Sequence, residues 1–330
     1  MKQRVDYIDI AKALAILGVL LGHTVTSDTE TKQFLYAFNM PLFFVLSGIF
    51  MKDGTNTGIK EFVIKKLWLL MLPYLLWGLI YLELSPKNLV LLAYGSRGAL
   101  GGAHSLTSLW FLPVMFLGYI YNLLYDKITH YIRIDSIIKG LLAIALFFVI
   151  GFCIPNPGAY GLPWGLGVAF VAAAFMKIGQ ISKTVISRLA DAESITLIVG
   201  LVISIVVFSV TYNYSTSSVG YILMADACFG NPFIFVGNAI LGSIMVVLAA
   251  LLIDRVSFRK KEFLYVGQNT LGLFLVHKPL VNAGAKVANA IHIGQNFIPM
   301  SIAISIGCLA ISSFIVWLIN RYIPVFFGRK

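Results

Sequence analysis

Long apolar stretches, most of about 17 to 23 residues, recur along this chain and constrain its fold more than any other feature. A helix rising 1.5 Å per residue needs about 20 such residues to cross the roughly 30 Å of hydrocarbon in a bilayer. Boundaries at 7–26, 34–51, 67–84, 108–125, 140–154, 161–178, 194–212, 233–254, 263–281 and 298–320 predict ten transmembrane helices. The fifth is short and ends in Pro155-Asn156-Pro157-Gly158, which suits a tight hairpin to the sixth. The stretch 215–232 is apolar but broken by Gly220, Gly230 and Pro232. It reads as a loop, a re-entrant piece or an early start to the eighth helix. The sequence shows no internal repeat.

Only 12% of the residues are charged, against about 25% in soluble domains, and mean hydropathy is +0.88. The expected class is an all-α integral membrane protein. It is expected to be one membrane-embedded domain over 1–330, with no separate soluble domain. The net charge of +11 is spread over short loops and not gathered on one face, which argues against a nucleic-acid partner and for membrane lipids. Cys153, Cys228 and Cys308 lie far apart in or near apolar segments, so neither a disulfide framework nor a metal site is expected. No small-residue cleavage site follows the first apolar run, which therefore reads as a retained helix.

Lysine and arginine test the helix count. With the N-terminus in the cytoplasm, nineteen of the 25 fall in inside segments and five outside: Lys32, Lys87, Arg97, Lys278 and Lys286. Lys12 lies within the first span. An odd number of helices would break this alternation. The expectation is ten helices with both termini cytoplasmic, in a multi-pass protein of the plasma or inner membrane.

The first span carries Asp9, Lys12 and His23. Ionisable groups inside a membrane are costly and by default mark a site. Lys12 and His23 are eleven residues apart. On a helix their side chains point within about 20° of each other, roughly 16 Å apart along the axis. One wall thus carries a cation at depth and, near the outer end, an imidazole able to act as a general base toward a hydroxyl. Asp9 pairs with Lys12 at helical spacing. The plainer alternatives are a helix-end histidine bonded to a carbonyl, and a structural ion pair or snorkelling lysine. For Lys12 the two readings stay even.

Pro41 is expected to bend the second helix, Asn39 to place a polar group at its outer end, and Ser47-Gly48 to allow close helix approach. Lys65 and Lys66 open the third helix from inside, as a topology signal and in a second role as a clamp for a cytosolic polyphosphate. Trp110 falls at the interface, where tryptophan anchors. Arg97 and His104 share an outer loop and read first as solvated, second as acceptor contacts. His277 lies toward the outer end of the ninth helix, at a depth like that of His23, so the two histidines can line one cavity. No third ligand is suitably spaced, and no metal is expected.

Together these segments resemble the membrane-bound acyltransferase-3 family, most closely its fucose 4-O-acetylase-like branch of surface-polysaccharide O-acetyltransferases. Four segments carry the resemblance: Tyr7-Ile-Asp9-Ile-Ala-Lys12 running on to Gly22-His23, Phe38 to Gly48, Leu109-Trp110-Phe111-Leu112-Pro113, and Gly267-Gln268-Asn269-Thr270 running on to His277. Lys65 and Lys66 before Pro73-Tyr74 fit the basic segment ahead of a proline in the third helix. The resemblance implies ten helices, an acyl-CoA donor from the cytoplasm, usually acetyl-CoA, and a carbohydrate hydroxyl as acceptor on the outer side. The acceptor would be a polysaccharide or a lipid-linked glycan. No tightly bound cofactor is implied; acetyl-CoA is a co-substrate. Where much of the wider family has arginine, this chain has Lys12, which lacks the bidentate fork. Where the branch often has histidine before Met40-Pro41, this chain has Asn39, which hydrogen-bonds without transferring a proton.

The expected roles follow. His23 takes the proton from the acceptor hydroxyl, with Asp9 positioning Lys12. Lys65, Lys66, Lys12 and Ser47 contact the donor; Asn39, Trp110 and His277 contact the acceptor. An acetyl-histidine intermediate is a variant. The rival reading is a transporter or exporter of a small anion or sugar, which intramembrane Lys and His groups also suit, although the two related halves common in transporters are missing. A purely structural subunit would leave Asp9, Lys12 and His23 unexplained.

Overall fold

The structure is a computed structural model that describes residues 5–25, 30–82, 85–101, 104–218, 222–256, 259–290 and 298–329, without the side chains of 104–106, 214–218, 288 and 289. Its helices are α1 (Asp6–Thr24), α2 (Glu30–Tyr36), α3 (Asn39–Ile49), α4 (Ile59–Lys66), α5 (Leu72–Tyr81), α6 (Pro86–Tyr94), α7 (Arg97–Gly101), α8 (Phe111–Ile128), α9 (Ser136–Cys153), α10 (Leu166–Ala190), α11 (Ser194–Ser218), α12 (Pro232–Asp254), α13 (Lys260–Gln268), α14 (Thr270–Ala290) and α15 (Ile298–Tyr322). A π-helical turn, Leu67–Met71, joins α4 to α5 just ahead of Pro73.

Among the described residues, eight helical stretches are long and apolar enough to cross a membrane: Asp6–Thr24, Ile59–Tyr81, Thr107–Tyr131, Ser136–Cys153, Pro163–Ala190, Ser194–Asn213, Pro232–Asp254 and Ile298–Tyr322. Several present bare apolar faces. Ile137, Ile138, Leu141 and Leu142 are exposed on α9, and Val199, Val202, Ile203 and Val206 on α11. Against water each such side chain forfeits about 1.5–3 kcal/mol of burial; against lipid the same faces are at home. The protein is an all-α integral membrane protein.

The two other expected spans are divided helices. Over 34–51, α2 ends at Tyr36 and α3 starts at Asn39. Pro41 therefore sits in the first turn of α3 and does not bend a longer helix. Its missing N–H is harmless there, and its fixed φ suits helix initiation. Over 263–281 the chain divides at Asn269, between α13 and α14. Of the three readings of 215–232, α11 takes the part to Ser218. A 3₁₀ turn forms at Met224–Asp226, and α12 starts only at Pro232. Asn231 caps α12, accepting from the Phe233 and Ile234 amides at 3.0 and 3.3 Å.

The described residues form two compact units. The first takes in those of Met1–Phe43, Val185–Leu223 and Phe229–Leu318; the second takes in those of Phe44–Thr184, Met224–Cys228 and Ile319–Lys330. In the first unit α1 is the hub, packing against α2, α12, α13 and α14. Small side chains on α1 let its neighbours come close: Ala11, Ala13 and Ala15 are all buried. Gly267 does the same on α13, where a Cβ would stand only 1.8 Å from the Asp9 carbonyl oxygen.

In the second unit the far half of α3 lies against α10 through two facing glycines. A Cβ on Gly48 would meet the Met176 carbonyl oxygen at 1.8 Å, and one on Gly179 the Val45 carbonyl oxygen at 1.9 Å. Close approach at Gly48 is therefore a packing device. A buried ion pair, Lys177 Nζ to Asp126 Oδ1 at 2.7 Å, ties α10 to α8. Asp126 also accepts from the Gly54 amide at 2.9 Å, and Lys127 donates to the Thr55 carbonyl at 2.7 Å, fixing the turn after α3.

Candidate active site

Asp9 and Lys12 meet one helical turn apart on α1, Oδ1 to Nζ 3.0 Å, with side chains 8% and 25% exposed. The other Asp9 oxygen is buried and has no hydrogen-bond partner among the described residues. A buried carboxylate oxygen left unpaired is costly, so this one is available to a donor group on a ligand.

His23 sits in the last turn of α1, half-buried. Its ring centre is 5.1 Å from that of His277, the planes inclined at 37°. The two histidines expected at similar depth thus stand side by side. His277 is fully buried, and its Nδ1 lies 2.6 Å from the Phe274 carbonyl oxygen. A carbonyl only accepts, so this bond holds the proton on Nδ1 and leaves Nε2 as a lone pair. That Nε2 is buried and unpartnered among the described residues.

Lys278 completes the cluster, its Nζ 3.4 Å from His23 Nδ1. A charged ammonium only donates, so it faces the Nδ1 lone pair of His23. The spacing is looser than the roughly 2.7–3.2 Å of a tight bond. Lys278, at the outer end of the ninth expected span and counted with the outside cations, is a half-buried residue of α14. The signal was present in Lys278-Pro279. An ionisable group precedes a proline that cannot donate to the Leu275 carbonyl and so interrupts the helix ladder.

Asn39 is buried at the start of α3. With its amide turned to satisfy both ends, the nitrogen donates to the Ala15 carbonyl at 3.1 Å and the oxygen accepts from the Val19 amide at 2.9 Å. Gly18 makes the approach possible, since a Cβ there would press on this amide at 3.1 Å. Asn39 thus grips α1 midway between Lys12 and His23, with both ends of its amide engaged by backbone.

The remaining expected site residues lie in the second unit. Lys65 is exposed, whereas Lys66 Nζ rests 3.1 Å from the centre of the Tyr119 ring. The Ser47 hydroxyl stands 3.9 Å from Met115 Sδ, and the Ser47 carbonyl accepts from the Tyr119 hydroxyl at 3.5 Å. Trp110 is buried edge-on against Phe111, centroids 6.0 Å apart, an arrangement that packs the start of α8. Arg97, read first as solvated, is ion-paired with Asp226. The His104 side chain lies outside the described residues. Among the described residues no three His, Cys, Asp or Glu side chains are grouped to hold a metal ion.

The arrangement offers a base edge with a cation beside it at one end of α1 and an ion pair toward the other. That is equipment for transfer chemistry on a polarised carbonyl. The family model of acyltransferase-3, described as an acyltransferase domain, matches residues 5–317 and so spans α1 to most of α15. No curated protein and no solved structure matches the chain. By that near full-length match, the chain belongs to the acyltransferase-3 family and is an integral membrane acyltransferase.

Proposed function

We propose that this acyltransferase is an O-acetyltransferase of the fucose 4-O-acetylase-like branch. It moves an acetyl group from cytoplasmic acetyl-CoA to a hydroxyl of a surface or lipid-linked carbohydrate on the outer side. The observation that carries this reading is the His23–Lys278–His277 cluster, on the same helix as the Asp9–Lys12 pair. The loop charges support ten spans with the Asp9–Lys12 end inside and the His23 end outside.

Lys12 in the first unit, and Lys65, Lys66 and Ser47 in the second, are the proposed donor contacts, the Lys65–Lys66 pair serving its phosphates. Lys65 is the freer of the two cations, because Lys66 already lies over an aromatic ring. The acceptor hydroxyl comes to the Nδ1 edge of His23 and displaces the loosely held Lys278 ammonium from the lone pair that is the basic site of the neutral ring. As the hydroxyl oxygen bonds to the thioester carbon, its proton passes to Nδ1. The Lys278 ammonium, already at that edge, stabilises the oxyanion of the tetrahedral intermediate. Collapse breaks the C–S bond. The departing CoA thiolate takes the proton from the imidazolium, leaving an acetyl ester and free CoA. The Nε2 lone pair of His277 accepts from a further hydroxyl of the acceptor. Asn39 acts on these groups through its grip on α1.

Loss and restoration of the gene test the acceptor class. Base-labile acetyl esters on surface or lipid-linked glycans should vanish with the gene and return with it. Unchanged ester content would contradict a carbohydrate acceptor. Two substitutions test the roles. Lys12→Ala should raise KM for acetyl-CoA about ten- to a hundredfold, the equivalent of roughly 1.5–3 kcal/mol for a charged hydrogen bond, with Lys12→Arg close to wild type. An unchanged KM would return Lys12 to a structural partner of Asp9. Lys278→Met should lower kcat about 10²–10³-fold while KM for acetyl-CoA holds; an undiminished kcat would remove Lys278 from the oxyanion.

A further inference from the structure

Three connections far apart in sequence converge in the second unit on one cavity of 310 Å³, lined among others by Ser96, Arg97, Asn156, Tyr160, Gly161 and Asp226. Ligand pockets run from roughly 300 to 1,000 Å³, so the space suits a single sugar unit with part of a neighbour. All three connections belong to the set that the loop charges assign to the outer side.

The cavity is built, not incidental. Ser96 donates to the Tyr160 carbonyl and accepts from the Ala99 amide. Tyr94 donates to the Gly161 carbonyl at 2.6 Å. Asn156 donates to the Asp226 carbonyl at 2.9 Å and accepts from the Leu162 amide at 3.3 Å. A Cβ on Gly98 would lie 2.2 Å from the Ala159 carbonyl oxygen, so the first two connections touch backbone to backbone. Two non-glycine residues beside the cavity, Trp164 and Ala227, hold φ of 54° and 56°. Strain of that kind persists where surrounding structure enforces it, and it gathers at binding sites.

With Ser96 and Asn156 engaged by backbone, the groups left to face a ligand are Arg97, Asp226 and Tyr160. Arg97 and Asp226 are ion-paired yet 37% and 29% exposed, so each keeps unused hydrogen-bonding edges. A guanidinium beside a carboxylate matches adjacent hydroxyls, which donate and accept at once. It does not match an anion, because Asp226 already neutralises Arg97 and would repel a second negative charge. The Tyr160 ring, 49% exposed, offers an apolar face to the C–H side of a sugar ring.

We propose that this cavity binds a neutral sugar unit of the glycan that the enzyme modifies. This deepens the acceptor assignment made above and rests on it. The test is saturation-transfer NMR on the purified full-length protein in detergent. The probes are glucose, galactose, N-acetylglucosamine and lactose, with glucuronic acid and glucose 6-phosphate as the anionic arm. Neutral sugars should receive saturation. Asp226→Asn should weaken that binding about tenfold or more, as loss of a charged hydrogen-bond acceptor does. Tyr160→Ala, which removes a ring and none of the loop-fixing side-chain bonds, should weaken it independently if Asp226→Asn unfolds. No transfer to any neutral sugar, transfer that survives both cavity variants, or a preference for the anionic probes would each overturn the proposal. CoA release without sugar binding would sink this site and leave acetyl transfer standing; sugar binding without CoA release would do the reverse.

Discussion

His23→Ala is expected to abolish acetyl transfer, lowering kcat about 10²–10⁴-fold, the usual worth of a positioned acid–base group. The expectation rests on three features of the site. His23 is half-buried in the last turn of α1, so its removal opens no large cavity. Alanine is the best helix former, so α1 should persist. The imidazole is also flanked by a cation and a second histidine, a costly assembly for packing alone. His23→Gln sharpens the test: its carbonyl oxygen can still accept from Lys278, but it cannot carry a proton, and it should be equally inactive. Ester formation by purified variants, alongside thermal unfolding in detergent, is the measurement. A fully active His23→Gln would show that contact with Lys278, and not proton transfer, is what His23 supplies. His277→Ala should behave differently. That ring is fully buried, so its loss should cost stability as well as rate.

Gly267→Ala should be the most damaging single methyl in the first unit. The added Cβ would stand 1.8 Å from the Asp9 carbonyl oxygen, which is backbone and cannot rotate away. Either α13 leaves α1 or α1 distorts at the residue that pairs with Lys12. Overpacking usually costs about 1–3 kcal/mol, and a clash between two helix backbones belongs at or above the top of that range. The unfolding temperature should fall and acetyl-CoA use should fall with it. Gly237→Ala is the internal control, because nothing lies within 4 Å of a Cβ there. In the interior of α12 that change should be neutral or stabilising by up to about 1 kcal/mol. Equal effects from the two substitutions would show that the α1–α13 crossing does not depend on Gly267.

Apolar length was enough to find the eight long helices, because span length follows from bilayer thickness and rise per residue. That Lys12 and His23 fall on one face of α1, with Asp9 in pairing distance of Lys12, was equally legible, since helical periodicity alone fixes which side chains share a face. The breaks at Ala37-Phe38 and Asn269 were not. Hydropathy averages over a window, and a short turn between two helices hardly lowers the average. Pro41 misled for a related reason: the same residue bends a helix from its middle or starts one from its first turn, and only the position of the break decides. Lys278 was hidden by its place at a span end, where a lysine ordinarily reports topology. Its contact with His23 joins residues 255 positions apart, beyond any local pattern. Asn39 looked like a polar group for substrate because nothing in its neighbourhood reveals that Ala15 and Val19 engage its amide.

The most direct test of the whole account is free CoA release from acetyl-CoA by the purified protein in liposomes, compared between wild type and His23→Ala. Release by wild type should be slow and require the protein, rise when acceptor glycan is supplied on the opposite face, and disappear in the variant. Wild-type protein that is folded yet neither binds acetyl-CoA nor releases CoA would contradict the donor assignment and turn the reading toward transport.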